Sequence, residues 1–176
     1  MIFWHVGGTI AIFRYVFRDP KVDLRLLALG AILPDLIDKP LGTILFPSLF
    51  NANSQVIGHT LLFSTVLMSV VLLTTHRGRV RRRWMALPVG SLIHLLLDAM
   101  WLVQGTFLWP AFGWEFPPGM AEYWSGLLER LFSDPWRIVQ EVVGLGYLIY
   151  LYRQNRLSDP ERRSELLRTG RLARES

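Results

Sequence analysis

No cysteine occurs in the 176-residue chain, which excludes a disulfide framework and a thiolate metal site. Compartment has to be argued from charge instead. The opening residues lack a positively charged stretch and a small-residue cleavage site, so no removable signal peptide is expected and His5 stays in the protein. HExxH, Walker A, GxSxG and GxGxxG patterns are all missing. Metalloprotease, nucleotide-hydrolase, serine-esterase and dinucleotide signatures therefore give no support. Charged residues are few, at 19% against 51% hydrophobic, and the mean hydropathy is +0.30. That balance is too apolar for an ordinary soluble domain and points to a membrane protein. No internal repeat or low-complexity linker divides the chain.

Two windows, VIGHTLLFSTVLMSVVLLTT (56–75) and WMALPVGSLIHLLLDAMWLV (84–103), are each 20 residues without Lys, Arg or Glu. As helices they would cross a hydrocarbon layer of roughly 30 Å. The window WRIVQEVVGLGYLIYLY (136–152) is weaker for its Arg137, Gln140 and Glu141, and MIFWHVGGTIAIFRYVF at the start is shorter. LRLLALGAILPDLI (24–37), interrupted by Pro34, suits a buried or re-entrant helix. Pro34, Pro40 and Gly42 are expected to break regular structure after it. The expected fold is all-α, a polytopic membrane helical bundle of about four spanning helices plus a short half-membrane or re-entrant helix. Residues 1–153 would form the membrane-embedded domain and residues 154–176 a basic cytoplasmic tail.

A net charge of +5 could suggest nucleic acid, but the distribution argues against it. All of the 19 basic residues except Lys39, Arg130 and Arg137 fall in three regions: residues 14–25, 77–83 and 153–174. The positive-inside rule makes all three cytoplasmic, and an up-and-down path through the spans satisfies it. Membrane lipid is the expected partner of these arginines, and nucleic acid is not. Residues 104–135 then lie outside and are rich in aromatics, Trp109, Trp114, Tyr123 and Trp124 among them. They read as an interfacial belt or a substrate-lining surface, and MAEYWSGLLERLF (120–132) as an amphipathic interfacial helix.

Polar residues that membranes disfavour gather on the outer side of this path. His5 opens the first span, Asp35 and Asp38 close the short helix, His59 lies just inside its span, and His94 and Asp98 occupy the outward half of theirs. Only His76 is left out. Asp35 and Asp38 stand at i and i+3 and His94 and Asp98 at i and i+4, so each pair shares a helical face. Alone, each residue admits a plainer role: an interface histidine at His5, a cap or backbone bond at His59, a turn at Asp35 and Asp38, an ion pair or proton relay at His94 and Asp98. Together, imidazole nitrogens and carboxylate oxygens form the ligand set of a divalent metal. Coordination would also offset the cost of placing carboxylates in a membrane.

The blocks WHVGGTI, GAILPDLIDKP, IGHTLLFS and HLLLDAMWLVQGTFLWPAFG, which cover roughly residues 1–113, resemble the membrane-bound, metal-dependent hydrolases of the YdjM type, LexA-binding and inner-membrane-associated. The resemblance implies His5, Asp35, Asp38, His59, His94 and Asp98 as the polar site, and a hydrolase as the activity. The expected cofactor is one or two divalent ions, zinc foremost, with manganese, iron or magnesium also admitted. Asp38 is expected as a further ligand or as the base that takes a proton from water, Glu115 as a second proton carrier, and Lys39 as a contact for an anionic group. A site at the outer face of the inner membrane suits an ester or phosphoester of an amphiphilic substrate such as a lipid. Two other classes fit the same residues: a metal or proton transporter, and a non-catalytic interaction protein that recruits a cytoplasmic partner through the basic tail.

Overall fold

Seven α-helices supply most of the regular structure of the computed structural model, which describes residues 1–19, 21–119 and 134–172. Among the described residues there is no strand, in keeping with an all-α fold. The amphipathic helix expected over 120–132, with Tyr123, Trp124 and Arg130, lies outside the described residues. Helix α1 (Ile2–Ile12) widens into a π turn at Phe13–Phe17 and is closed by Arg18 at φ 50°. Helix α2 (Leu24–Pro40) continues into a second π turn, Leu41–Leu45. Then come α3 (Leu61–Thr74), α4 (Arg79–Leu97), a 3-10 turn at Met100–Leu102, the short α5 (Gln104–Phe107), α6 (Pro135–Gln154) and α7 (Pro160–Thr169).

Local sequence sets most of these boundaries. Asp23 caps α2 by accepting from the backbone N–H groups of Arg25 and Leu26, and Thr60 caps α3 at Phe63. Asp134 and Asp159 do the same for α6 and α7, each followed by a proline at the first helical position. Gly170 ends α7 at φ 73°, where a side chain would be strained. Pro34 and Pro40 do not break α2 as the sequence suggests. Each removes one backbone bond, but α2 packs along α4 and that contact outweighs the loss.

The expected spans differ from the helices observed. Among the described residues, no helix is long and apolar enough to cross a membrane. Helix α3 is apolar but has 14 residues rather than the expected 20, roughly 21 Å of rise, because its chain stays non-helical until Leu61. Helix α4 has 19 residues but opens on Arg79, Arg81, Arg82 and Arg83 and stops at Leu97, with Ala99 turning the chain at φ 51°. Helix α6 carries Arg137, Glu141 and Arg153. The outward faces are nonetheless apolar: α3 exposes Leu62, Val66, Val70 and Leu73, and α6 exposes Val139, Val142, Val143 and Ile149.

Close crossings hold the bundle. A Cβ on Gly30 would run into the Leu87 carbonyl oxygen, and one on Gly90 into the Leu27 carbonyl oxygen, so α2 and α4 meet backbone to backbone. Gly7 and Gly144 allow the same approach between α1 and α6. Below the crossings lies an apolar core of Ile10, Phe13, Leu24, Leu27, Ala86 and Leu151.

The three basic regions converge at one end. The Asp23 carboxylate accepts from the Arg25 guanidinium at 2.7 Å and 3.0 Å and from Arg83 Nε at 3.0 Å. Leu24 N–H donates to the Gly170 carbonyl at 2.8 Å, and Arg171 Nε donates to the Lys21 carbonyl at 3.2 Å. The tail helix α7 is thereby tied to the start of α2. Burial pushes the Asp23 carboxyl up, but the Arg25 guanidinium and the backbone N–H groups of Leu26 and Arg25 outweigh it and hold it below the ordinary carboxylate value. A lowered folded pKa means that this contribution is complete above the unfolded value, about 3.8, and is lost as pH falls through the folded value. Acidification below about pH 4 is expected to release residues 160–172, read as faster amide exchange there. Asp23→Asn should give the same release at neutral pH, with a loss of ~1–2 kcal/mol in stability.

Candidate metal centre

The opposite end of the bundle collects the polar residues. Helices α1, α3 and α6 begin there and α2 and α4 end there, so His5 and His59 meet Asp35, His94 and Asp98 from antiparallel neighbours. The heart of the arrangement is a buried carboxylate. Asp38 has no exposed surface, and its Oδ2 accepts from Val56 N–H at 2.7 Å and His59 N–H at 3.0 Å, while its Oδ1 accepts from Gly58 N–H at 2.7 Å. The ring of His59 donates from Nδ1 to the same Oδ2 at 2.7 Å. These bonds keep residues 56–59 out of a helix and delay α3 until Leu61. Gly58 is needed because a Cβ would press on the Asp38 carboxylate and on Pro34.

Asp38 also sets the chemistry of His59. A carboxylate accepts only, so the proton of the neutral ring sits on Nδ1 and Nε2 carries the lone pair. His94 is arranged in the same way by a different partner: its Nδ1 donates to the Ala31 carbonyl at 2.6 Å. That carbonyl follows Gly30, at the close crossing with Gly90, so the glycine contact brings α2's backbone within reach of the imidazole. The two Nε2 atoms then face each other at 3.2 Å.

At that distance the two nitrogens either share a proton or flank a cation. Asp98 Oδ2 stands 3.5 Å from both Nε2 atoms, and Asp35 Oδ1 stands 3.6 Å from that of His59. Asp35, His59, His94 and Asp98 each offer one ligand atom, and all four atoms lie within 4.8 Å of one another. Two imidazole nitrogens sharing a tetrahedral zinc at about 2.0–2.1 Å would be about 3.3–3.4 Å apart. The donor set and its spacing therefore fit a divalent ion. His59 and His94 have no accessible side-chain surface, whereas Asp35 keeps 16%, Asp98 13% and Lys39 23%, so the group opens on its carboxylate side.

Of the six residues singled out in the sequence, four form this group and two stand beside it. Asp38, expected as a ligand or base, has both oxygens committed to the 56–59 backbone and the His59 ring. His5, expected as a ligand, donates from Nε2 to Asp98 Oδ1 at 2.8 Å and stacks on His94 with ring centroids 4.0 Å apart. Lys39 is ion-paired to Asp35. Glu115 is exposed on the turn before buried Phe116. That outer segment is anchored to the loop before His59, since Asn51 and Asn53 donate to the carbonyls of Phe116 and Pro117 at 3.0 Å and 2.8 Å.

Two contributors escaped the sequence reading. Glu141 of α6 accepts from Phe3 N–H at 2.8 Å and Trp4 N–H at 3.2 Å, capping α1, which has no side-chain cap of its own. Its signal was a carboxylate within a largely apolar window. Gln55 reaches Asp98 Oδ2 at 3.4 Å, and nothing in its sequence context marked it.

The model of the family described as YdjM inner membrane protein matches residues 1–157, a stretch that includes all six polar residues. No curated protein and no solved structure matches the chain.

Asp38→Asn would put an amide NH2 where N–H donors converge. Stability is expected to fall by about 2–3 kcal/mol and zinc affinity by about 10–100-fold. Denaturant titration and competitive zinc binding check the two effects.

Proposed function

The chain belongs to the YdjM inner membrane protein family, and on that premise we propose that it is a membrane-bound, metal-dependent hydrolase acting on an ester or phosphoester of an amphiphilic substrate. The observation that carries the reading is the pair of imidazole nitrogens, His59 Nε2 and His94 Nε2, 3.2 Å apart and flanked by Asp35 and Asp98. Asp35, His59, His94 and Asp98 would hold the ion. When bound, it supplies Lewis acidity toward the substrate oxygen and toward the attacking water.

The chain's own groups account for the remainder of the reaction. One of the two partly accessible carboxylates, Asp35 or Asp98, takes the proton from water as its oxygen bonds to phosphorus or carbon. Lys39, paired with Asp35 at the accessible edge, draws in an anionic head group. The bond to the leaving oxygen breaks, and that oxygen needs a proton; Glu115 in the anchored outer segment is the proposed carrier. Asp38, fully buried and bonded to the 56–59 backbone and the His59 ring, acts through His59 as a positioning residue.

The membrane placement rests on the family and on the surface. Apolar faces of α3 and α6 suit lipid, and the convergence of the basic regions opposite the polar group suits a multi-pass bundle with its basic end in the cytoplasm and its site toward the outer face. Exposed Phe112 and Trp114 beside that face suit headgroup depth, where an amphiphile would approach. Transport is less well supported. Beneath the group, Ser64 and Ser91 bond to each other at 2.9 Å, and the apolar core of Leu27 and Ala86 follows.

Metal content of the full chain purified in detergent, together with a hydrolysis screen on lipid phosphoesters, tests the proposal. The wild type is expected to retain about one divalent ion per chain and to turn over a lipid phosphoester, with His94→Ala and Asp98→Ala losing both by roughly 100-fold or more. No bound metal in the wild type under metal-replete conditions would sink the reading. Metal without turnover would favour binding or transport.

A further inference from the structure

We infer that His5 is a positioning residue for the metal group and not one of its ligands, an inference that rests on the metal-site reading above. Both nitrogens of its buried ring face oxygen atoms: Nε2 stands 2.8 Å from Asp98 Oδ1, and Nδ1 lies against the Met1 carbonyl. His5 offers no atom to the four ligand atoms that converge from Asp35, His59, His94 and Asp98. What the ring does is fix two residues of α4 at once. By holding Oδ1 it turns the other Asp98 oxygen toward His59 and His94, 3.5 Å from each Nε2. Its face also lies against the His94 ring at 4.0 Å with 22° between planes, which restricts the tilt of that imidazole.

Asp98 has particular need of such a holder. It is the residue that ends α4, followed by the left-handed turn at Ala99, and the terminal torsion of an aspartate is broad and two-fold. The other three ligand residues are held by Lys39 at Asp35, Asp38 at His59 and the Ala31 carbonyl at His94, whereas Asp98 has besides His5 only a long contact from Gln55 at 3.4 Å. His5 completes that outer set. It also explains what α1 and α6 contribute. The Gly7–Gly144 approach and the Glu141 cap fix α1 in place, and His5 is the residue through which α1 reaches the group.

His5→Gln and His5→Ala separate the roles, because a glutamine amide can donate to Asp98 from nearly the Nε2 position and alanine cannot. The full chain in detergent is stripped of metal and titrated with zinc, and X-ray absorption at the zinc edge counts imidazole ligands. A positioning role predicts two imidazoles in the wild type and both variants. It also predicts a Kd within about threefold of wild type for His5→Gln and about 10–100-fold weaker for His5→Ala. Three imidazoles in the wild type falling to two in His5→Gln would make His5 a ligand and overturn the inference while leaving the metal site standing. Wild-type affinity in His5→Ala would also overturn it. A wild type that takes up no zinc removes the metal-site reading, and the positioning role with it. If His5→Ala does not fold, the wild type and His5→Gln decide between ligand and positioning residue by the imidazole count.

Discussion

The site depends on one buried carboxylate with four N–H groups donating to it. An unpaired carboxylate at Asp38 would cost several kcal/mol, and the backbone of residues 56–59 with the ring of His59 meets that demand. In doing so it stops α3 from starting early, fixes the tautomer of His59 and aims Nε2 at its counterpart on His94. Hydrogen bonding that satisfies a charge on α2 thus becomes ligand geometry at the head of α3.

The remaining organisation makes that geometry rigid. Glycine at positions 30 and 90 lets α2 and α4 touch, which brings the Ala31 carbonyl to His94. At the far end, Asp23 gathers Arg25, Arg83 and the tail around the start of α2, roughly 18 Å along the helix from Asp35. One helix therefore anchors both poles, with an apolar core between them. This polarity suits the proposed placement, with the polar group at one membrane interface and positive charge at the other.

Much of the site was legible in the sequence because the chemistry is so out of place there. His94 and Asp98 in an apolar window, and Asp35 beside Asp38 at a helix end, stand out by composition, and the basic regions orient the segments that bring them together. Helix limits were not legible. An unbroken window without Lys, Arg or Glu extended α3 back to residue 56 because nothing local announces that Asp38, eighteen residues earlier, will claim its N–H groups. The same blindness hid the division of labour: Asp38 and His5 have ligand chemistry, but which atoms they face is decided by tertiary contacts. Proline likewise misled at α2, where packing against α4 carries the helix through Pro34.

Anomalous diffraction from crystals of the zinc-loaded protein tests the central claim most directly. The account predicts one strong peak between His59 Nε2 and His94 Nε2, within bonding distance of both and of an oxygen from Asp35 or Asp98. A peak elsewhere, or an empty site in which the two imidazoles are bridged by a proton alone, would contradict it.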